Sequence, residues 1–227
     1  SGFYIFDLAF AYSQRRRPET LRRIEDYLEY WWEKKDADGL LLIESRSAVE
    51  ATHFHLVNAP TQTFSLGVSL LEAACLLDGQ HGDLAGRMRR YAATYLEGFL
   101  TAPHDLDSQI YVSMCLRADG AVRERMDLWG SVYGVSSVAS TALLCVRAWQ
   151  LTADSRFLEW GRGAGEAYAV TPFPKAAPGA AAVPATDPGI ALDLLVDLYS
   201  ATSDVKWLEA AGDMADSLLP LYFQARI

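Results

Sequence analysis

The chain has 227 residues and 51% hydrophobic content, enough to bury a substantial core in one domain. Twenty Lys plus Arg against 29 Asp plus Glu leave a net charge of −9, which repels a phosphate backbone and excludes nucleic acid as an expected partner. No apolar run reaches the roughly 18 residues of a membrane span, and no charged n-region with a cleavage site opens the chain, so no membrane partner is expected.

The first element is an apolar helix that stops at Arg17-Pro18 and is followed by an amphipathic helix over Glu19 to Lys35. In that second helix Leu21, Ile24, Leu28 and Trp31 share one face, while Arg22, Arg23, Glu25, Asp26 and Glu29 take the other. A long connection from Asp36 to Pro60 carries an Ala37-Asp38-Gly39 turn, the run Leu40 to Glu44 and a strand-like stretch His53 to Val57. Next comes an apolar helix over Ser65 to Leu77, a break at Gly79 and Gly82 before Asp83, and a second amphipathic helix. The connection Ala102 to Val132 alternates Ile110, Val112, Met114 and Leu116, turns at Ala118-Asp119-Gly120, then alternates Val122, Glu124, Met126 and Leu128. Period and Asp-Gly turn together predict a β-hairpin. A third apolar helix, Val135 to Leu151, is separated by Asp154 from an amphipathic one. The Pro- and Ala-rich connection Thr171 to Asp187 reads as a flexible flap or a partly disordered connection. A fourth pair, with an apolar helix Ile190 to Tyr199 and a break at Ser203-Asp204, closes the series.

Four helical hairpins therefore repeat along a single domain, residues 1–227. First helices are apolar nearly all round and second helices amphipathic, so the simplest arrangement covers an inner layer with an outer one. Connections within a hairpin are short and those between hairpins long, which gathers the long loops on one face, where function concentrates. The three cysteines, Cys75, Cys115 and Cys145, are odd in number and widely spaced, and read as small buried hydrophobes.

Repeated hairpins with β-containing loops on one face, and phrases such as Thr-Ala-Asp-Ser-Arg-Phe-Leu-Glu-Trp (152–160) and Thr-Ser-Asp-Val-Lys-Trp-Leu-Glu-Ala (202–210), resemble the six-hairpin α/α-toroid superfamily. The resemblance is architectural and implies an all-α, α/α-toroid fold with carbohydrate chemistry: glycoside hydrolases, polysaccharide lyases and sugar epimerases share it, as do some terpenoid cyclases and prenyltransferase subunits. Six hairpins are the rule there and four are counted here, which marks the chain as an incomplete toroid, with a homodimer or association with the missing part as expected partners. The chain opens Ser-Gly-Phe-Tyr-Ile-Phe without an initiator Met, so its natural N-terminus reads as missing. A soluble protein is expected, with the cytoplasm favoured and secretion left open.

Glycoside cleavage needs two carboxyl groups across the sugar and an aromatic surface for the ring. Asp127, in Met-Asp-Leu-Trp-Gly just before the third inner helix, is the first candidate, beside Trp129 and Tyr133; its alternative duty is at the helix dipole. Glu44, with Glu50 nearby, could supply the second carboxylate or pair with Arg46. Asp107, beside His104 and Asp105, is a further candidate that competes with turn duty, whereas Asp36 and Asp38 are discounted, Asp38-Gly39 reading as turn chemistry by analogy with Asp119-Gly120. His53 and His55 at i and i+2 would point to one face of a strand and motivate the lyase or N-acylglucosamine 2-epimerase-like alternative, with Arg46, Asn58 and Gln62 holding hydroxyls or a uronate carboxylate. Glu72, Arg147, Asp193 and Asp197 are assigned to buried ion pairs or caps, and Trp31, Trp32, Tyr91, Tyr95, Trp160 and Trp207 to the core.

A glycoside hydrolase acting on a carbohydrate substrate through a carboxylate pair is the leading expectation, without metal or cofactor. A non-catalytic repeat scaffold that binds a glycan or protein is the reading from another class. No P-loop, G-x-G-x-x-G, G-x-S-x-G or H-E-x-x-H motif is present.

Overall fold

The turns inside the hairpins show why the chain folds back where it does. In the computed structural model, which describes residues 2–42, 56–105, 111–129, 138–173 and 186–222, the described residues form eight helices and a small sheet. The helices pair as α1 (Gly2–Arg15) with α2 (Pro18–Lys34), α3 (Pro60–Leu77) with α4 (Gly82–Thr101), α5 (Val138–Thr152) with α6 (Ser155–Val170), and α7 (Thr186–Thr202) with α8 (Val205–Tyr222). Arg16, Ala153 and Ser203 take left-handed φ values of 50°, 58° and 57°, and each donates its N–H over 2.7 Å to the carbonyl four residues back, on Tyr12, Trp149 and Tyr199. A left-handed residue past the last turn reverses the chain while satisfying an otherwise orphaned carbonyl.

The third and fourth turns match atom for atom. Thr152 and Thr202 donate their hydroxyls over 2.7 Å to the carbonyls of Ala148 and Leu198, and Asp154 and Asp204 accept from the backbone N–H of Arg156 (3.0 Å) and Lys206 (3.2 Å). Asp154 also holds the Arg156 guanidinium at 2.7 Å, and this hydrogen bond keeps its carboxyl below the ordinary value of 3.8. A depressed folded-state value means that the stabilisation is complete above the ordinary value and lost as pH falls through the depressed one. Asp154→Ala is expected to cost about 1 kcal/mol at neutral pH in urea unfolding, and less in acid, below the ordinary carboxylate value. An equal cost at both pH values would take the ionised carboxylate out of the account.

The chain divides into two compact units, the first holding α1 to α4 with the sheet, the second α5 to α8. In the first unit α1 packs on α2 and α3, and α3 on α4. Phe64 of α3 stacks on Phe99 of α4 with ring centroids 4.1 Å apart, and Leu84, Met88, Ala92, Tyr95 and Leu96 extend this seam along α4. The peripheral α2 buries only Ile24 and Leu28 among its described side chains, although Trp32 lies flat on Tyr91 of α4 with centroids 3.7 Å apart. In the second unit α5 packs on α6 and α7, and α8 lies against α7 and α6. There Trp207 is 1% exposed and fills a recess that Gly165 leaves open.

The sheet is antiparallel in the order β1 (Val57–Asn58), β2 (Val112–Leu116), β3 (Val122–Arg125). Val57 pairs with Leu116, Asn58 with Cys115 and Val112 with Arg125. The Asp119-Gly120 turn forms as expected, with Gly120 at φ +72° and Asp119 accepting from the N–H of Ala121 over 3.0 Å. The strand ends at Arg125 rather than running to Leu128. Met126 instead donates its N–H to the Tyr111 carbonyl at 2.9 Å and is buried.

Several side chains depart from expectation. Arg147, Asp193 and Asp197 are exposed and Glu72 half-buried, so none is a fully buried charge. The carboxyl of Asp197 is nevertheless held above its ordinary value, chiefly by desolvation and then by Asp193 beside it, with Arg147 offsetting part of the rise. Trp31, Trp32 and Tyr91 are half-buried, whereas Tyr95, Trp160 and Trp207 are core. Cys75 is exposed, unlike the buried Cys115 and Cys145. No helix of the described residues is long and apolar enough to cross a membrane.

Candidate functional site

Within the second unit, the segment before α5 presents the first candidate carboxylate, and it does so from a tethered backbone. Met126 is buried, its N–H bound to Tyr111 and its sulfur accepting the Thr141 hydroxyl at 3.4 Å. The Asp127 carbonyl accepts from the N–H of Val138 at 3.4 Å. The Leu128 carbonyl accepts the Tyr168 hydroxyl at 2.6 Å, and the same phenol oxygen accepts from the N–H of Ala139 at 3.0 Å. Three successive residues are thus tied to the long-loop end of α5 and α6. The Asp127 side chain projects outward, exposed and without a side-chain partner among the described residues.

Trp129, two residues on, is held edge-on between two rings: Tyr168 at 4.8 Å and 80°, Phe173 at 5.1 Å and 90°. Its indole N–H is buried and has no acceptor among the described residues. A buried donor without a partner costs free energy that an incoming acceptor would recover. A cleft of about 210 Å³ flanks these rings, bounded by Tyr168, Thr171, Phe173, Asp213, Met214 and Ser217. Beneath them Tyr111 is fully buried, donates to the Trp160 carbonyl at 3.1 Å, and has its phenol pushed well up by burial. His104 packs edge-on against Tyr111 and Trp160, with centroids 5.8 and 5.3 Å away, and so acts as a wall.

The first unit holds two more of the candidates. Asn58 is 3% exposed, donates its amide to Asp36, and keeps a buried amide oxygen without a partner among the described residues. Asp36 in turn accepts from the N–H groups of Asp38 (3.0 Å) and Leu40 (2.8 Å), and so holds the turn that precedes Leu40. Leu42 bridges to Asn58, and Ala59 donates to Leu41 at 2.9 Å, so the two ends of the first long connection are bound side by side. Gln62 is exposed on the first turn of α3. Glu44, Arg46, Glu50, His53, His55, Asp107 and Tyr133 lie outside the described residues.

The structure therefore brings together Asp127 and Trp129 in one unit, and Asn58 and the first turn of α3 in the other. Sequence reasoning missed Tyr168 and Phe173, whose positions in an amphipathic helix and a Pro-rich loop carry no sign of a shared ring partner. It also missed Asp187, 1% exposed in the first turn of α7, where Pro188 and Gly189 disguise a helix start. Among the described residues no group of three His, Cys, Asp or Glu side chains is placed to hold a metal ion.

No protein-family model matches the sequence, and no curated protein matches it either. Solved structures do match in fold. One is a GH76 α-mannanase from Bacteroides thetaiotaomicron, with a TM-score of 0.56 and 15% identity, covering 95% of this chain and 55% of its own. Another is UGL, an unsaturated glucuronyl hydrolase described with the saccharide dGlcA-Glc-Rha-Glc, with a TM-score of 0.62 and 13% identity, covering 95% of this chain and 60% of its own. At such identities the likeness is one of fold: this chain is all-α and built on the α/α-toroid plan, and it spans little more than half the length of either structure.

Proposed function

We propose that this chain is part of a carbohydrate-active enzyme, a glycoside hydrolase in which Asp127 is one of two catalytic carboxyl groups. The observation that carries the reading is the pairing of an exposed carboxylate on a tethered backbone with an indole wedged two residues away. Such a pair supplies what hydrolysis of a glycoside asks for: a proton donor or acceptor at a set position, and an apolar face with one hydrogen-bond donor for the sugar. Two solved structures of the same fold carry the names of enzymes that cleave glycans, which supports the class of substrate.

In this reading Asp127 protonates the departing oxygen or activates water, and Asp107 supplies the opposing carboxylate. Their separation would set the outcome: about 5 to 5.5 Å for retention, about 6.5 to 9.5 Å for inversion. Trp129 and Tyr133 bear the ring. The test begins with reducing-sugar release from a panel of mannans and uronate-containing glycans. On whichever glycan is cleaved, Trp129→Ala is expected to raise KM about tenfold, the loss of one stacking contact and one hydrogen bond, with a smaller change in kcat. Unaltered KM in a folded Trp129→Ala protein would remove the indole from the site, and absence of turnover with retained glycan binding would favour the scaffold reading.

A further inference from the structure

The first hairpin concentrates positive charge at its turn. Arg15, Arg16, Arg17, Arg22 and Arg23 fall within nine residues and all are exposed, against the single carboxylate Glu19 among them, in a chain whose net charge is −9. Among the described residues the one ion pair these guanidinium groups make is Arg22 with Glu19, 4.0 Å long and exposed on both sides. Their local effect is unfavourable. Arg17 stands at the N-cap of α2 without a capping hydrogen bond, where Asp154 and Asp204 cap α6 and α8. Cations beside a helix N-terminus are repelled by its dipole, so the cluster weakens the hairpin that carries it.

A cleft of about 660 Å³ opens at the same end of the unit, between Leu21 and Glu25 of α2 and His81, Gly82, Gly86 and Arg90 at the start of α4. The Tyr12 hydroxyl meets His81 Nε2 at 2.8 Å, with the rings edge-on at 5.2 Å. That contact fixes the end of α1, and with it Arg15 to Arg17, next to the start of α4. Arg87 is engaged by Glu25 and Glu29, at 3.4 Å each, and Arg89 by Asp78 at 2.8 Å. Arg90 is exposed and has no ion pair among the described residues. A Cβ on Gly82 would meet nothing within 4 Å and one on Gly86 only the Arg90 guanidinium, so this wall of the cleft is bare helix backbone.

We propose that this end of the first unit binds an acidic glycan, a chain of sugars bearing carboxylate or sulfate groups, with the arginines holding its charges and the cleft one of its rings. Guanidinium forks match the paired oxygens of such groups. Six exposed arginines, spread over a turn and the starts of two helices, suit charges repeated along a polymer better than one small anion. Two other polyanions fit worse. A membrane surface asks for large apolar side chains among the cations to insert, and residues 13–23 expose none. A nucleic acid carries a charge on every nucleotide, and the next turns of α2 would set Glu25, Asp26, Glu29 and Glu33 against it, where a glycan can lay an uncharged sugar. The inference takes its class of polymer from the carbohydrate reading, and adds a binding surface that does not include Asp127.

The test titrates the full 227-residue chain into fluorescein-labelled oligogalacturonate, and in parallel into labelled dextran sulfate, and reads anisotropy. One or both probes should bind, at least about tenfold more weakly at about 200 mM salt than at about 20 mM, and neutral dextran should not compete. Arg22→Gln with Arg23→Gln should weaken binding several-fold, and adding Arg15→Gln with Arg17→Gln should bring the loss to about tenfold or more. The charge-matched pair Arg123→Gln with Arg125→Gln, exposed on β3, should bind as the parent does. All six side chains are exposed, so the fold should be kept, which circular dichroism checks. Asp127→Asn should also bind as the parent does. Arginine-dependent binding without turnover of any glycan leaves this inference standing and removes only the hydrolase reading. No binding at the lowest salt, an equal loss from the β3 pair, a loss in Asp127→Asn, or competition by neutral dextran overturns the proposal. So does tighter arginine-dependent binding of a single-stranded oligonucleotide or of phosphatidylserine vesicles.

Discussion

Asp127→Asn is expected to lower glycoside turnover by about 10² to 10⁴-fold, the usual contribution of one general acid or base. The amide keeps the shape of the carboxyl but can neither give nor take the proton. The backbone around it is tied down through Met126 and Leu128, not through the Asp127 side chain, so folding should be spared. The unfolding free energy should stay within about 0.5 kcal/mol of the parent, as for other surface substitutions. Substrates with an activated aryl leaving group separate the roles: an acid's loss is largely bypassed by such a leaving group, whereas a nucleophile's loss is not. Turnover that persists on both substrate types would end the assignment of Asp127 and move the chemistry to His53 and His55, the lyase or epimerase alternative.

Trp207→Ala is expected to destabilise the protein by about 3 to 5 kcal/mol, the range for removing a buried aromatic side chain. The ring is 1% exposed, and its indole N–H has no hydrogen-bond partner among the described residues, so the loss is almost wholly packing. Lys206 over the ring face, 4.4 Å from its centroid, adds about 0.5 to 1 kcal/mol. Gly165→Ala probes the same contact from the other side. A methyl there would meet the Leu198 side chain and come within 2.9 Å of the Trp207 ring, and overpacking of this kind costs about 1 to 3 kcal/mol. Because both changes act on one space, the double variant should lose at least about 1 kcal/mol less than the sum of the two. Urea unfolding of the four proteins measures this. Strict additivity would mean that Gly165 is not what admits the ring.

The hairpin turns were readable because their determinants sit within a few residues of one another. Asp154 and Asp204 cap the helices they precede, and Asp119-Gly120 turns the strands on either side of it. Helix starts were less readable. Thr61, Gln62 and Thr63 look like loop, yet α3 begins at Pro60 and buries both threonines. Thr63 accepts from the N–H of Leu41, 22 residues away, and so earns its burial from a partner that no local window contains.

The candidate site divides along the same line. Asp127 and Trp129 could be proposed from residue type and from their place before a helix. What holds them could not: Tyr168 reaches back 40 residues to the Leu128 carbonyl and 29 to the N–H of Ala139, and such pairings exist only once α6 lies against α5. Burial behaves in the same way, for Val146 and Val196 occupy the same place in the repeat, yet the first is fully buried and the second 45% exposed. By itself the sequence determined the repeat, the two kinds of helix and the end of each hairpin where long loops emerge, because periodicity and capping act between neighbours in the chain. The tertiary structure alone decided which polar groups are satisfied, which aromatic rings meet and which apolar side chains stay exposed, because those are contacts between residues that only packing brings together.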